Sequence, residues 1–172
     1  MEKIPAHLTG ESISSNSTEA FSINKKSNFG EPVGEKIQYS LSEALFLTEN
    51  KRMEVFQKKR KLTFKELINK SHRIDKRISI KYPVFKSLRE RGYIVKTALK
   101  FGADFRVYEK GAKPGKKHAK WVVFCDHEAK SFTWHDFSAK NRVAHSTKKN
   151  LLLAIVDDEE DVSYYEVSWV KP

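Results

Sequence analysis

The run Ala119–Cys125, AKWVVFC, does most to constrain the fold. It reads as a largely buried strand, and a strand buried on both faces needs partners within its own sheet. The chain supplies them on either side. Upstream, YIVK (93–96) and DFRVY (104–108) read as strands, the second with Phe105 and Val107 on one face. Downstream, beyond the aromatic-rich loop HEAKSFTWHDF, the pattern predicts a helix from about Ser138 to Lys148, and then two further strands in LLLAIVD and VSYYEVSWV. A second helix is predicted from Pro83 to Arg91, with Val84 and Leu88 as an i,i+4 apolar pair and Gly92 as its stop. Strands, helix and strands in this order give an α/β domain, a central mixed β-sheet flanked by helices.

The first half reads as a separate, smaller mixed α/β domain. Ser40 and Glu43 have capping-box spacing ahead of a short helix, SLSEALFLTEN, with Leu41, Ala44, Leu45 and Thr48 on one face. MEVF (53–56) alternates as a strand does, and KKRK suits a hairpin or loop. Thr63 and Glu66 repeat the capping box ahead of a helix whose apolar stripe is Phe64, Leu67, Ile68, Ile74 and Ile78, with Lys65, Lys70, Arg73, Lys76 and Arg77 opposite. Residues 1–39 are polar and rich in Ser, Asn and Gly, and predict only weak strands and turns, some poorly ordered. Proline disfavours helix in the residue before it, so Tyr82-Pro83 marks the expected boundary, with domains at 1–81 and 82–172.

Charge points to the partner. The chain of 172 residues carries a formal charge of +11, and residues 51–120 hold 23 of its 33 Lys and Arg against 6 of its 22 Asp and Glu. A local surplus of that size favours a polyanion, nucleic acid first; the plainer alternative is a solvated lysine-rich surface. The single cysteine, Cys125, lies inside an apolar run, which excludes a disulfide within the chain and predicts a buried thiol. With no signal-like N-terminus and no apolar run long enough to span a bilayer, the expected setting is the cytoplasm, with no membrane.

Several motifs then occur in one order: LRERGYIVKTALKFGADFRVYEKG, His118-Ala119 opening an apolar strand, and RVAHSTKKNLLLAIVD. Together they resemble the catalytic domain of the archaeal tRNA-splicing (tRNA-intron) endonucleases. YSLSEALFLTENKRMEVF and KLTFKEL resemble that family's N-terminal domain, so the likeness extends over nearly everything after about Gly30. Before it, little more than LTG matches, and the polar ESISSNSTEAF stands where an apolar strand is expected. The resemblance implies a catalytic set of Tyr108, His118 and Lys149. It also implies a precursor tRNA substrate cut at bulge-helix-bulge junctions without metal or other cofactor, leaving 2′,3′-cyclic phosphate and 5′-hydroxyl ends.

The residue types suit that chemistry. An imidazole, with an ordinary pKa near ~6.5, can hold a proton at neutral pH and deliver it to a departing 5′-oxygen. A lysine supplies a cation for the charge developing on phosphorus. A phenol, ordinarily near ~10, is a poor base at pH 7, so a tyrosine here either draws on neighbouring cations or orients the 2′-hydroxyl. Arg142 matches the family arginine that packs on an extruded base; no second stacking arginine is evident. Lys96, Lys100, Lys110, Lys113, Lys116 and Lys117 crowd the same stretch and suit phosphate contacts. By resemblance, the acidic run Asp157, Asp158, Glu159, Glu160 and Asp161 docks on a neighbouring subunit, and Tyr165 and Trp169 belong to a strand that pairs between subunits. One catalytic set facing two cut sites implies an oligomer, either a homotetramer or a heterotetramer with a structural subunit.

Two other classes also fit parts of the sequence. Glu128-Ala129-Lys130 has the Glu-x-Lys spacing of metal-dependent nucleases, for which Asp104 or Asp126 would be the companion carboxylate, and Cys125, His127 and His135 suggest zinc without a fourth ligand. A non-catalytic RNA-binding subunit of a splicing complex is the alternative that Tyr108, His118 and Lys149 argue against.

Overall fold

A computed structural model describes residues 2–112 and 114–172. The chain divides into two compact units, Met1–Tyr82 and Pro83–Pro172. Among the described residues, no helix is long and apolar enough to cross a membrane.

The first unit is built on a six-stranded sheet. Its interior strand β1 (Ile4–Thr9) buries Ile4, Ala6 and Leu8 in strict alternation, antiparallel to β2 (Ser12–Ser15) and parallel to β5 (Met53–Gln57). The polar opening of the chain is therefore more ordered than its composition implies. In β2, Ile13 and Ser15 are buried, and the Ser15 hydroxyl donates to the Pro5 carbonyl at 2.6 Å. A serine satisfied inside the sheet takes the place that the pattern reserves for an apolar residue.

A helix that periodicity does not announce follows. The helix α1 (Thr18–Ser27) is capped by Ser17 and closed by Asn28 in the left-handed region, and buries only Ala20 and Ile23. Two apolar contacts are too few for a visible stripe. Strands β3 (Glu31–Val33) and β4 (Lys36–Tyr39) extend the sheet, and β6 (Arg60–Lys61) closes its other edge.

Both capping boxes form, at Ser40/Glu43 for α2 (Leu41–Glu49) and at Thr63/Glu66 for α3 (Phe64–Ile74). Glu43 does more than cap. Its buried carboxylate also accepts the Gly30 N–H at 2.9 Å, tying the start of β3 to α2. Gly30 has φ of +69°, and a Cβ there would strike the Ile37 side chain and come within 2.9 Å of the Gln38 carbonyl, so glycine is required.

The predicted stripe from Phe64 to Ile78 is cut short, because α3 stops at Ile74 and Ile78 begins α4 (Ile78–Glu90). Pro83 does not start a helix; it lies inside α4. It removes one N–H bond, to the carbonyl four residues back, which a helix of this length tolerates when its apolar face is buried. Val84, Phe85 and Leu88 provide that face.

The second unit holds a five-stranded sheet in the order β11-β10-β9-β8-β7. Its strands are β7 (Ile94–Thr97), β8 (Phe105–Tyr108), β9 (Trp121–His127), β10 (Asn150–Val156) and β11 (Val162–Val167). Only β9 and β10 run parallel, as their connection through α5 (Trp134–Ser146) requires. Val122, Val123 and Cys125 of β9 have no exposed surface, as expected of the central strand. One sheet face packs on α5 through Val122, Phe124, Leu151 and Ala144; on the other, Phe85 packs on Phe105 with ring centroids 5.9 Å apart. The helix begins four residues before the predicted Ser138, because Thr133 and Asp136 form a third capping box inside what reads as an aromatic loop.

Candidate active site

Tyr108 ends β8, opposite Ile94 of β7, and is only 5% exposed, packed among Ile94, Ala112 and Ala119. Alternation along the strand puts Arg106 on the same side of the sheet as Tyr108. His118 lies in the exposed loop that leads into β9. Two residues later, the Lys120 N–H donates to the Val107 carbonyl at 2.9 Å, and the Lys120 carbonyl accepts the Asn150 N–H at 2.9 Å. One backbone residue thus joins the neighbour of Tyr108 to the neighbour of Lys149, just after the chain has passed His118.

Lys149 is held by the way α5 stops. The Lys148 N–H donates to His145 and the Lys149 N–H to Ala144, with Lys148 at φ 53°: a Schellman motif with lysine at the usual glycine position. The Lys149 ammonium donates to the Thr147 carbonyl at 2.8 Å and lies 5.4 Å from the centre of the Phe101 ring.

These elements enclose a cavity of about 210 Å³, lined by Tyr108, His118 and Lys149 together with Phe101, Arg106, Lys116 and Lys117. Four cationic side chains and no carboxylate line it, so it suits an anion such as a phosphodiester. Glu109, the nearest carboxylate in sequence to Tyr108, is engaged by Lys120 at 3.0 Å, a hydrogen bond that raises the lysine pKa.

Comparisons with known proteins identify the family. The family model for the tRNA intron endonuclease catalytic C-terminal domain matches residues 78–164, and that for the N-terminal domain of the same family matches residues 4–68. The chain belongs to the tRNA intron endonuclease family. A protein of Pyrococcus abyssi named tRNA-splicing endonuclease is 40% identical over 169 residues, covering 98% of this chain and 97% of the relative. One of Thermococcus gammatolerans with the same name is 42% identical over 166 residues, covering 96% and 97%. A third, of Nanoarchaeum equitans, is 44% identical over 138 residues, covering 77% and 88%. The activity expected of the chain is accordingly the family's, endonucleolytic cleavage of RNA in tRNA splicing.

Against that background, the candidate RNA contacts divide. Lys116 and Lys117 line the cavity; Lys100 and Lys110 are exposed outside its lining, Lys110 with its ammonium 5.3 Å from the centre of the Tyr93 ring. Arg142 is exposed on α5. Lys96 is only 6% exposed and lies opposite Arg106 in the strand register, outside the cavity lining. Lys113 lies outside the described residues. Arg106 and Phe101, which sequence reasoning did not single out, line the cavity, and the Arg106-x-Tyr108 spacing on a strand was the available signal.

The remaining candidates lie outside the cavity lining. Asp104 accepts the Cys125 N–H at 2.8 Å, and Asp126 pairs with Lys130 at 2.6 Å and Lys140 at 3.6 Å, so both carboxylates brace the sheet. Glu128 and His135 are exposed, and His127 meets Asp158 at 3.3 Å. No group of three His, Cys, Asp or Glu side chains converges among the described residues. The acidic run forms the tight loop between β10 and β11. There the Asp157 carboxylate accepts the N–H groups of Glu159 at 3.0 Å and Asp161 at 2.8 Å, and Asp158, Glu159, Glu160 and Asp161 stay exposed. Tyr165 and Trp169, 58% and 69% exposed, lie on and just past the edge strand β11.

Proposed function

We propose that Tyr108, His118 and Lys149 cleave intron-bearing precursor tRNA at bulge-helix-bulge junctions by attack of the RNA's own 2′-hydroxyl. Their meeting in one cationic cavity is the observation that carries this reading. Tyr108 engages the 2′-hydroxyl, whose oxygen attacks the adjacent phosphorus as its proton passes to the Tyr108 phenolate or to a solvent water. The bond from phosphorus to the 5′-oxygen breaks, and His118 protonates the departing oxygen. Lys149 stabilises the charge on the phosphoryl oxygens. The products are a 2′,3′-cyclic phosphate and a 5′-hydroxyl, and the balanced reaction consumes neither metal nor water.

Arg142, Lys116 and Lys117 hold the substrate, Lys100 and Lys110 add outlying phosphate contacts, and the enzyme works in the cytoplasm as an assembly of at least two copies. Cleavage of a bulge-containing precursor tRNA in EDTA by the wild type and by His118→Ala tests the mechanism. The wild type is expected to keep its activity and the variant to lose roughly 10²- to 10⁴-fold, the range for a general acid. Loss of wild-type activity in EDTA overturns the metal-free reading, and equal activity in the variant removes His118 from the chemistry.

A further inference from the structure

The aromatic loop that opens α5 has no part in the cleavage chemistry, yet Trp134 is 83% exposed. Its neighbours are packed. Phe137 meets Phe132 and Trp134 edge to face, with centroids 6.1 Å and 5.6 Å away, and the Lys140 ammonium lies over the Phe124 and Phe132 rings. Trp134 is thus buttressed along one side by Phe137 while most of the indole remains open to solvent.

Position on the helix gives this exposure a meaning. At roughly 100° per residue, Trp134, Ser138, Arg142 and His145 share an arc of about 80°, with His135 just beyond it. All five are exposed. The Trp169 ring packs on His145 with centroids 5.4 Å apart, adding a second aromatic to the C-terminal end of the stripe. Asp136 points away from the arc, and its carboxylate is used in the cap with Thr133 at 2.6 Å. The stripe carries an arginine, two histidines and two indoles but no carboxylate, and the helix that bears it ends at Ser146, three residues before Lys149, which lines the cavity.

We propose that the exposed face of α5 is an RNA track leading from the cleavage cavity, and that Trp134 stacks an unpaired nucleobase of the substrate. Trp134 lies two turns, roughly 12 Å, from Arg142, a span that a few single-stranded nucleotides bridge. Aromatic faces among cations and hydroxyls are the usual platform for unpaired bases. A second copy of the chain fits the face less well, because the arc has no aliphatic side chain to form the apolar centre of a protein interface.

The inference rests on RNA being the ligand of the cavity, and its test separates the two. Equilibrium binding is measured in the His118→Ala background, with and without Trp134→Ala or Trp134→Phe. The ligands are a precursor tRNA with bulged nucleotides and a fully paired RNA duplex. Trp134→Ala is expected to weaken binding of the bulged RNA roughly tenfold, the scale of one base stack, with Trp134→Phe recovering most of it and duplex binding unchanged. Unchanged affinity for the bulged RNA overturns the proposal, as does an equal loss on the duplex. A Trp134→Ala protein of altered mass in solution also overturns it, assigning the face to contact between chains. Cleavage by the protein carrying Trp134→Ala alone is followed in parallel, so a failed stacking proposal leaves the assignment of the cavity standing.

Discussion

Single residues here carry duties that their type alone does not reveal. Tyr39 is buried, and its hydroxyl finds no hydrogen-bond partner among the described residues. Burial, with the nearby Glu43 charge adding to it, pushes its pKa upward. The folded state therefore holds the phenol proton more tightly than the unfolded chain. That contribution to stability is complete below the ordinary phenol pKa of about 10 and is lost as pH rises from there through the raised folded value. Tyr39→Phe is expected to stabilise the first unit by about 1 kcal/mol at neutral pH, because it removes an unsatisfied buried hydroxyl. It should also flatten the decline of stability above pH ~10. Denaturant unfolding at pH 8 and pH 10.5 checks both, and a destabilised variant with an unaltered alkaline decline contradicts the account. Lys96 shows the opposite limit: its charge contributes to a conspicuous basic stretch, but the side chain is enclosed. Composition counts a charge wherever it lies; only burial separates a phosphate contact from an internal ion.

At the scale of elements, the end of α5 decides whether Lys149 reaches the cavity. Lys148 and Lys149 look interchangeable in sequence, yet one takes the left-handed position of the cap and the other enters the cavity. A non-glycine residue in that conformation costs roughly 1 kcal/mol. Lys148→Gly should therefore leave cleavage intact and raise stability by up to about 1 kcal/mol, less what glycine adds to the entropy of the unfolded chain. Thermal unfolding and a cleavage assay on the same preparation test this, and loss of activity would mean that Lys148 itself meets the substrate. Elements with strong local signals were legible: both capping boxes of the first half, β9 and β10 all appear where the pattern puts them. Those that failed share a cause. The helix α1 buries two apolar side chains, β2 fills a core position with serine, and α4 runs through Pro83 because packing on Val84, Phe85 and Leu88 outweighs one missing hydrogen bond. In each, tertiary contacts overrode a local preference.

For the molecule as a whole, the proposed assembly follows from one proposed catalytic set per chain against the two cuts that excision of an intron requires. The edge strand β11, with Tyr165 exposed, and the exposed acidic loop are the surfaces we assign to it. The native mass of the purified protein, alone and with candidate structural partners, is expected to be that of two or more chains, and full activity in a stable monomer would contradict the assignment. The sequence by itself determined the strand and helix order of the second unit, the basic character of the partner-binding stretch and, through its motifs, the family and the three catalytic candidates. The reason is that periodicity, capping and charge are local properties, written within a few residues of one another. The tertiary structure decided what depends on distance in space. It brought Tyr108, His118 and Lys149 to one cavity across some forty residues of chain, added Arg106, enclosed Lys96, and left Trp134 open on the helix that leads to the site. None of these follows from neighbouring residues: the cavity depends on strand register and the Lys120 backbone bonds that close the sheet around it, and the exposure of Lys96 and Trp134 on how their elements pack.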